Sequence, residues 1–292
     1  MRALSLMLKP ASSECNLACG YCFYHSLCAS RSAPSHGFMS ERTFEHILSK
    51  AVRFASGAPI ALSFQGGEPL LRGKEFFLRA ASAISGYRKK GIEISVGIQT
   101  NGTLIDEEWC DIFAKNGWLV GLSLDGDEEA NAFRVDKNGN ATFSKVIAAA
   151  RLMQRKNVEF NVLSVLTAPV AQRAGEIYDF FKKNGFRYLQ FIPCLKPFRF
   201  DERGRIDGAP DYSPAEADGR RYTLTSEEYF RFLVEVFARY YDDYMAGDYV
   251  SVRQFDNFVR LAHFESAEQC GMNGHCTHQF VIEGDGEVYP CD

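Results

Sequence analysis

The sequence predicts an α/β protein, and two observations support this fold class. Short apolar runs with strand character alternate with longer segments of helical periodicity, which is typical of parallel βα units. The chain has 292 residues, and a single barrel-type domain takes about 200 to 250 residues. Six predicted strands with helices between them indicate an open (β/α)6 partial TIM barrel, and the remaining length predicts a small appendage.

The elements follow from the chain in order. The predicted strands cover 3–9, 60–65, 92–99, 118–124, 158–165 and 186–192, and the predicted helices cover 40–55, 73–90, 105–116, 142–156 and 170–183. Ser40 and Asp106 each precede acidic residues at a helix start, as N-caps do.

The rest of the chain divides into a loop, two helices and a C-terminal piece. The stretch 193–222 is rich in Pro, Arg, Asp and Gly, which predicts a surface loop over the barrel mouth. Amphipathic helices are predicted at 225–246 and 253–264. We therefore expect a barrel with its loop at 1–222, linking helices at 223–265 and a small domain at 266–292.

Composition excludes some classes of function. The net charge is −4, from 33 basic and 37 acidic residues, so we expect no basic face and no nucleic-acid partner. The N-terminal apolar run is too short for a signal peptide, and no run approaches the roughly 18 apolar residues of a spanning helix. We expect a cytoplasmic protein without a membrane partner. Its nine cysteines indicate metal ligands or buried thiols.

A C-x3-C-x2-C run directly after the first predicted strand is the main candidate for a metal site. It consists of Cys15, Cys19 and Cys22. A cubane iron-sulfur cluster takes four thiolates, so three cysteines predict a cluster with one iron left open. A zinc site, with Cys28 as a fourth ligand, and a disulfide pair are the alternatives. The position at a strand end, where barrels build their sites, favours the cluster.

The cysteine run, with Phe23 and Tyr24 after it, resembles the cluster loop of radical S-adenosylmethionine (SAM) enzymes. This resemblance implies a 4Fe-4S cluster whose open iron is chelated by the amino and carboxylate groups of SAM. It also assigns the backbone of Tyr21 to the SAM site.

The second strand end carries Gln65-Gly66-Gly67-Glu68-Pro69. Two glycines permit positive φ and let a ligand approach the backbone, although a Gly-Gly turn alone is more often a tight connection. Behind the cysteine run it resembles the GGE motif of the same enzymes. That resemblance assigns Gly67 and Glu68 to the ammonium group of SAM.

Three further strand ends are polar or unusual. Gln99 to Thr103 follow the third strand, where Asn-Gly by itself is a turn signal. Ser123 ends the fourth strand, and Arg134, whose forked donors suit a carboxylate, follows a short loop later. The resemblance places Ser123 and Arg134 at the carboxylate of SAM. It places the backbone of Leu195, which follows the sixth strand, at the adenine of SAM. Cys194 is expected to be a buried thiol.

A second group of cysteines lies at the C-terminal end. Cys270 and Cys276 precede a Gly-Asp-Gly turn between alternating runs, which predicts a β-hairpin that brings Cys291 back towards Cys276. The spacing resembles the opening of a SPASM-type domain, whose cysteines hold auxiliary 4Fe-4S clusters. A zinc ribbon completed by His275 or His278 is the alternative. Further cysteines of that domain are missing, so we expect a truncated sequence.

Across nearly its whole length the chain resembles anaerobic sulfatase-maturating enzymes. The resemblance rests on the segments CGYCFYHSL at 19–27, FQGGEP at 64–69, QTNGTLID at 99–106, LVGLSLDG at 119–126 and YPCD at 289–292. It implies oxidation of an active-site Cys or Ser of a sulfatase polypeptide to Cα-formylglycine by a 5'-deoxyadenosyl radical. An electron donor such as flavodoxin or ferredoxin would reduce the cluster.

Three more residues are expected to act on the substrate. Asp292 would be the general base that takes the proton of the substrate head group, because it adjoins the proposed ligand Cys291 at the end of the hairpin. The resemblance implies that Tyr24 and Gln65 face the substrate peptide. Two other functions stay open. One is a SPASM-type enzyme that forms thioether or carbon-carbon crosslinks, and the other is an iron-sulfur or zinc protein without SAM chemistry.

Overall fold

The computed structural model describes most of the chain. The described residues are 4–22, 24, 33–195, 222–269, 271–274 and 279–291. The predicted loop at 193–222 lies mostly outside them. The single residues of the sequence analysis that also lie outside them are Phe23, Cys28, Cys270, His275, Cys276, His278 and Asp292.

The predicted alternation of strands and helices is confirmed. The strands are β1 (Leu4–Leu8), β2 (Ile60–Phe64), β3 (Ile94–Thr100), β4 (Leu119–Ser123), β5 (Phe160–Leu166), β6 (Tyr188–Pro193), β7 (Ser251–Val252), β8 (Gln279–Ile282) and β9 (Val288–Tyr289). The helices are α1 (Glu41–Ala55), α2 (Lys74–Arg88), α3 (Glu107–Asn116), α4 (Phe143–Arg155), α5 (Ala168–Ala171), α6 (Ala174–Lys183), α7 (Ser226–Met245) and α8 (Arg253–Ala262).

Parallel pairing joins the six predicted strands in chain order, β1 to β6. The sequence did not predict what extends this sheet at its edges. The short strand β7 pairs in parallel with β6, and β8 pairs in parallel with β1. The predicted C-terminal hairpin is present, because β9 pairs antiparallel with β8. Through β8 this hairpin is part of the same sheet as the barrel strands.

Side chains alternate along the strands, as a period of two requires. In β1 and β2 every second residue is buried and the others are half-buried. The buried set joins the core beneath the helices. There the rings of Phe64 and Phe77 meet edge to face, with their centroids 5.1 Å apart. The half-buried set faces the inner side of the sheet, so Gln65 continues the inner row of β2.

Local chemistry explains where several elements begin and end. The predicted N-caps are confirmed, because Ser40 accepts from the Thr43 N–H and Asp106 accepts from the Trp109 N–H. The predicted helix 170–183 is instead two helices. The first begins at Ala168, because Pro169 suits a helix start and cannot sit in a helix interior.

The third, fifth and sixth strands each begin two residues later than predicted, and the third shows the reason. Gly91 has a φ of 82°, and the Ile92 N–H bonds back to the Tyr87 carbonyl at 3.2 Å. Ile92 therefore belongs to the turn that ends α2 and not to the strand. Within the described residues, no helix has both the length and the apolar composition needed to cross a membrane.

Candidate active site

Three half-buried cysteines lie in the loop that follows β1. Cys15, Cys19 and Cys22 are all free thiols, so the disulfide alternative does not apply to them. The Cys22 N–H donates to the Cys19 carbonyl at 3.1 Å, which closes a turn between them. The loop follows the C-terminal end of its strand, where βα folds place their chemistry.

A neighbouring loop holds the cysteine loop by its backbone. The Ala18 N–H donates to the Val135 carbonyl at 2.8 Å, and the Gly20 N–H donates to the Phe133 carbonyl at 3.1 Å. Arg134 lies between these two acceptors in the chain. The conformation of the cysteine loop is therefore tied to the segment that carries the predicted SAM arginine.

The environment of the thiols suits a positively charged ligand. Burial raises the pKa of Cys15 and raises that of Cys19 to about 11, and repulsion from neighbouring thiolates acts in the same direction. The Leu17 N–H lies 3.4 Å and the Asn101 amide 3.8 Å from the Cys15 sulfur, where both can stabilise a thiolate. Thiolates are the ligand form, so a bound cationic centre would supply the charge that their formation requires.

A single zinc ion and a cluster make different demands on the sulfur atoms. Thiolates on one zinc ion, with Zn–S bonds of about 2.3 Å, stand about 3.8 Å apart. Among the described residues, Cys15, Cys19 and Cys22 do not belong to a group whose ligand atoms all lie within 4.8 Å of one another. A polynuclear cluster, in which each cysteine binds a different iron, does not need such a group.

The Gly-Gly turn after β2 packs against the cysteine loop. A Cβ on Gly67 would lie 2.1 Å from the Glu14 carbonyl oxygen, and the Glu68 N–H donates to that oxygen at 2.7 Å. The first glycine, Gly66, has the expected positive φ, 86°. The space above Gly67, expected from the sequence to admit a ligand, is instead filled at the Cβ position by Glu14, the residue before Cys15.

Glu68 is fully buried, and both of its carboxylate oxygens accept hydrogen bonds from protein donors. The Leu70 N–H and the Thr100 hydroxyl bind Oε1 at 3.0 and 2.8 Å, and the Asn101 N–H binds Oε2 at 2.7 Å. Burial raises the pKa of Glu68 to about 7, and the three donors oppose that rise. In this arrangement the carboxylate links the glycine turn to the end of β3.

The polar turn after β3 contacts the cysteine loop directly. The Asn101 amide donates to Asn16 Oδ1 at 2.9 Å, and the Asn16 amide donates to Thr103 Oγ1 at 2.9 Å. Asn101 was not predicted as a site residue, because an Asn-Gly pair by itself indicates only a turn. The sequence signal that could have identified it is a side-chain amide directly after the end of a strand.

Asp125, which the sequence analysis also missed, binds two of the predicted site residues. Arg134 donates from Nε and Nη2 to its two oxygens at 3.0 and 2.8 Å, and the Tyr21 hydroxyl donates to Oδ2. The Val165 N–H from β5 donates to Oδ1 at 2.9 Å. Burial raises the pKa of Tyr21 well above its usual value, so the hydroxyl stays protonated and remains a donor.

Three other residues predicted to contact SAM or the substrate are Ser123, Tyr24 and Leu195. Ser123 accepts a hydrogen bond from the Gln99 amide at 2.9 Å. Tyr24 lies with its ring 5.1 Å from the Lys9 ammonium. Leu195 follows β6 and is 67% exposed, and Cys194 beside it is the buried thiol that the sequence predicted.

The C-terminal hairpin is joined to the start of the chain beside this site. Lys9 and Glu283, each 2% exposed, form an ion pair at 3.3 Å, and the Ser12 hydroxyl donates to the same carboxylate at 3.1 Å. Cys291, just beyond β9, is an exposed free thiol. It is the one predicted auxiliary-cluster ligand among the described residues.

Comparison with known proteins gives the class of the chain first. Residues 10–182 match the family described as the Radical SAM superfamily. This match covers more than half of the chain and includes the cysteine loop, the glycine turn and Arg134. The chain is therefore a radical SAM protein.

Individual relatives narrow the assignment. A cysteine-type anaerobic sulfatase-maturating enzyme of Clostridium perfringens (strain 13 / Type A) is 43% identical over 100% of this chain and 75% of its own length. A serine-type anaerobic sulfatase-maturating enzyme of Bacteroides thetaiotaomicron is 31% identical over 100% of this chain and 70% of its own length. The chain belongs to the family of anaerobic sulfatase-maturating enzymes.

Solved structures agree with this assignment. The structure of native anSMEcpe with bound AdoMet and the Cp18Cys peptide is 41% identical, with a TM-score of 0.87 over 100% of this chain and 74% of that chain. Streptococcus suis SuiB bound to the precursor peptide SuiA has a TM-score of 0.62 over 99% of this chain and 59% of that chain, at 19% identity. The second likeness shows the shared fold alone.

Proposed function

We propose that this protein oxidises an active-site Cys or Ser of a sulfatase polypeptide to Cα-formylglycine by radical SAM chemistry. The proposal rests on one observation. The half-buried loop with three cysteines follows the first strand of a chain that matches sulfatase-maturating enzymes along its whole length. The named relatives include cysteine-type and serine-type enzymes, so both head groups are proposed as substrates.

Cys15, Cys19 and Cys22 are proposed to hold a 4Fe-4S cluster through three irons. Their free thiols and the donors that face Cys15 support this role. If Cys15, Cys19 and Cys22 hold the cluster, bound SAM would supply a 5'-deoxyadenosyl radical able to remove a hydrogen atom from the β-carbon of the substrate residue. Glu68 and Asn101 hold the loop against the ends of β2 and β3.

The SAM site is proposed to be formed by the backbone of Tyr21 and Leu195 together with Gly67, Ser123 and Arg134. Among the described residues, the bonds from Arg134 to Asp125 use Nε and Nη2, which leaves Nη1 for the carboxylate of SAM. The resemblance also assigns Glu68 to the SAM ammonium. The three protein donors on its carboxylate favour a supporting contact through the turn.

The substrate side of the proposed site is formed by Tyr24, Gln65 and the C-terminal residues. Tyr24 and Gln65 are proposed to face the peptide, because Tyr24 follows the cysteine loop directly in the chain and Gln65 continues the inner row of β2. Asp292 is proposed as the base that takes the proton of the Cys or Ser head group as a second electron leaves. Cys270, Cys276 and Cys291 are proposed auxiliary-cluster ligands, and a flavodoxin or ferredoxin is the proposed electron donor.

Anaerobic incubation with SAM, a reductant and sulfatase-motif peptides tests the function. We expect 5'-deoxyadenosine together with a peptide aldehyde that reacts with a hydrazide. A cysteine peptide is the sharper substrate, because formylglycine formation exchanges sulfur for oxygen, whereas a crosslinking enzyme removes only two hydrogens. A crosslinked peptide mass without aldehyde would contradict the proposed reaction.

Cysteine variants test the cluster in the same assay. Replacing Cys15, Cys19 or Cys22 by Ala is expected to abolish SAM cleavage and to lower iron content. Cys110→Ala is the matched control, because this free thiol is buried in α3, away from the loop. Equal loss of iron in Cys110→Ala would contradict the assignment of the ligands.

A further inference from the structure

Gln99 lies on the inner side of the sheet between two residues of the proposed active site. It stands opposite Gly121 in the pairing of β3 with β4, and Gln65 occupies the adjacent inner position of β2. Its side-chain amide donates from Nε2 to the Ser123 hydroxyl oxygen at 2.9 Å. The function proposed above places Ser123 at the carboxylate of SAM and gives Gln99 no role.

The position opposite Gln99 has room for a side chain only if the Gln99 amide moves aside. A Cβ on Gly121 would lie 2.1 Å from Gln99 Oε1 and 3.0 Å from its Cδ. Gly121 is not among the glycines with positive φ, so backbone conformation gives no reason for a glycine here. The contact that a larger residue would make here is with the amide of Gln99, which it would displace.

A neighbouring glycine shows that this crowding is specific. Gly97 lies two residues before Gln99 in β3 and also lacks a positive φ. A Cβ added to Gly97 would meet nothing closer than the Leu119 carbonyl oxygen at 3.7 Å, which is an ordinary contact. An alanine should therefore fit at 97 and clash at 121.

We propose that Gln99 is a positioning residue that orients the Ser123 hydroxyl towards the ligand, and that Gly121 keeps the space in which its amide lies. A serine hydroxyl has one hydrogen to donate and two lone pairs to accept with. Because the amide N–H already points at the oxygen, the hydroxyl hydrogen is directed to another acceptor. At this site that acceptor is the carboxylate of SAM, so the inference rests on the proposed function.

Displacing the amide should weaken SAM binding without removing any ligand-contacting atom. A single hydrogen bond of this kind is worth about 1 kcal/mol, which corresponds to roughly fivefold in the dissociation constant. We expect Gln99→Ala and Gly121→Ala each to weaken SAM binding by roughly that factor. Gly97→Ala should bind SAM as the wild type does.

A double-mutant cycle on the reconstituted protein separates this mechanism from general damage. If Gly121→Ala acts by expelling Gln99, then adding it to Gln99→Ala should weaken SAM binding no further. Effects that multiply in the double variant would overturn the proposal. So would a Gly121→Ala protein whose SAM dissociation constant equals that of Gly97→Ala.

A variant of similar size separates positioning from packing. Gln99→Met keeps most of the side-chain volume and loses the N–H donor, so it should weaken SAM binding as much as Gln99→Ala does. Wild-type affinity in Gln99→Met would show a packing role and would overturn the proposal. A wild-type protein that fails to bind SAM would instead contradict the proposed function, so the two failures are distinguishable.

Discussion

The guanidinium of Arg134 and the carboxylate of Asp125 form a two-pronged ion pair inside the protein. The donor-acceptor distances are 3.0 and 2.8 Å, and the two residues are 6% and 0% exposed. Asp125 also accepts from the Tyr21 hydroxyl of the cysteine loop and from the Val165 N–H of β5. One buried carboxylate thus connects the proposed SAM arginine, the proposed cluster loop and two strand ends.

Removing the charge of Asp125 should destabilise the fold strongly. Asp125→Asn leaves the buried guanidinium without its counter-charge, and breaking a buried pair in this way costs about 3 to 5 kcal/mol. Urea unfolding of the apoprotein measures the loss. Asp127→Asn is the matched control, because its pair with Arg173 is partly exposed, at 31% and 24%, and should be worth about 1 kcal/mol or less. Equal effects of the two substitutions would contradict this ranking.

Adding one methyl group at Gly67 should prevent the cysteine loop from docking. The new Cβ would lie 2.1 Å from the Glu14 carbonyl oxygen, and a backbone atom cannot move aside as a side chain can. We expect Gly67→Ala to retain only a small fraction of the wild-type iron after reconstitution, measured by iron and sulfide analysis.

Gly86 provides the control for this substitution. It lies within α2, and a Cβ there would meet no atom within 4 Å. Alanine is favoured over glycine in a helix by about 0.5 to 1 kcal/mol, so Gly86→Ala should raise stability and leave iron content unchanged. Wild-type iron content in Gly67→Ala would mean that the glycine turn after β2 does not pack against the cysteine loop at Glu14.

The buried carboxyl of Glu68 should make stability depend on pH. Its pKa is raised from 4.5 to about 7 in the folded protein, so between these values the folded protein holds a proton that the unfolded chain releases. The resulting stabilisation is fully present below pH 4.5 and is lost as pH rises through about 7. A shift of this size corresponds to about 3 kcal/mol.

Comparison with Glu68→Gln isolates this contribution from the other titrating groups. The difference in unfolding free energy between wild type and Glu68→Gln should fall by about 3 kcal/mol as pH rises from about 4.5 to about 7. Urea unfolding at a series of pH values measures it. A difference that stays constant with pH would show that Glu68 is ionised throughout, held so by its three hydrogen-bond donors.

The order of the elements was predictable because their patterns are local. Strands and helices repeat with periods of two and about 3.6 residues, and the caps Ser40 and Asp106 mark helix starts within one turn of chain. The errors arose where a local device overrides the period. Gly91 turns Ile92 out of β3, and Pro169 starts a separate short helix.

The site was predictable only where residue type reveals chemistry. Three cysteines at tight spacing indicate a cluster in any context, whereas Asp125 and Asn101 are common residues whose importance comes from what they contact. Asp125 meets Tyr21 across 104 positions of the chain, and Asn101 meets Asn16 across 85. Such contacts join side chains from loops at the ends of different strands, and the spacing of residues along the chain does not show which of those side chains meet.

The buried pair of Lys9 and Glu283 should control how firmly the C-terminal hairpin is attached to β1. The pair spans 274 positions, beside the backbone bond from the Lys9 N–H to the Ile282 carbonyl. Glu283→Gln keeps an acceptor there and removes the charge, so we expect faster hydrogen exchange in 279–289 and unchanged exchange in β3 and β4, measured by mass spectrometry. Asp285→Asn is the control, because the pair of Asp285 with His36 is partly exposed and should matter little. Unchanged exchange in Glu283→Gln would mean that strand pairing alone holds the hairpin.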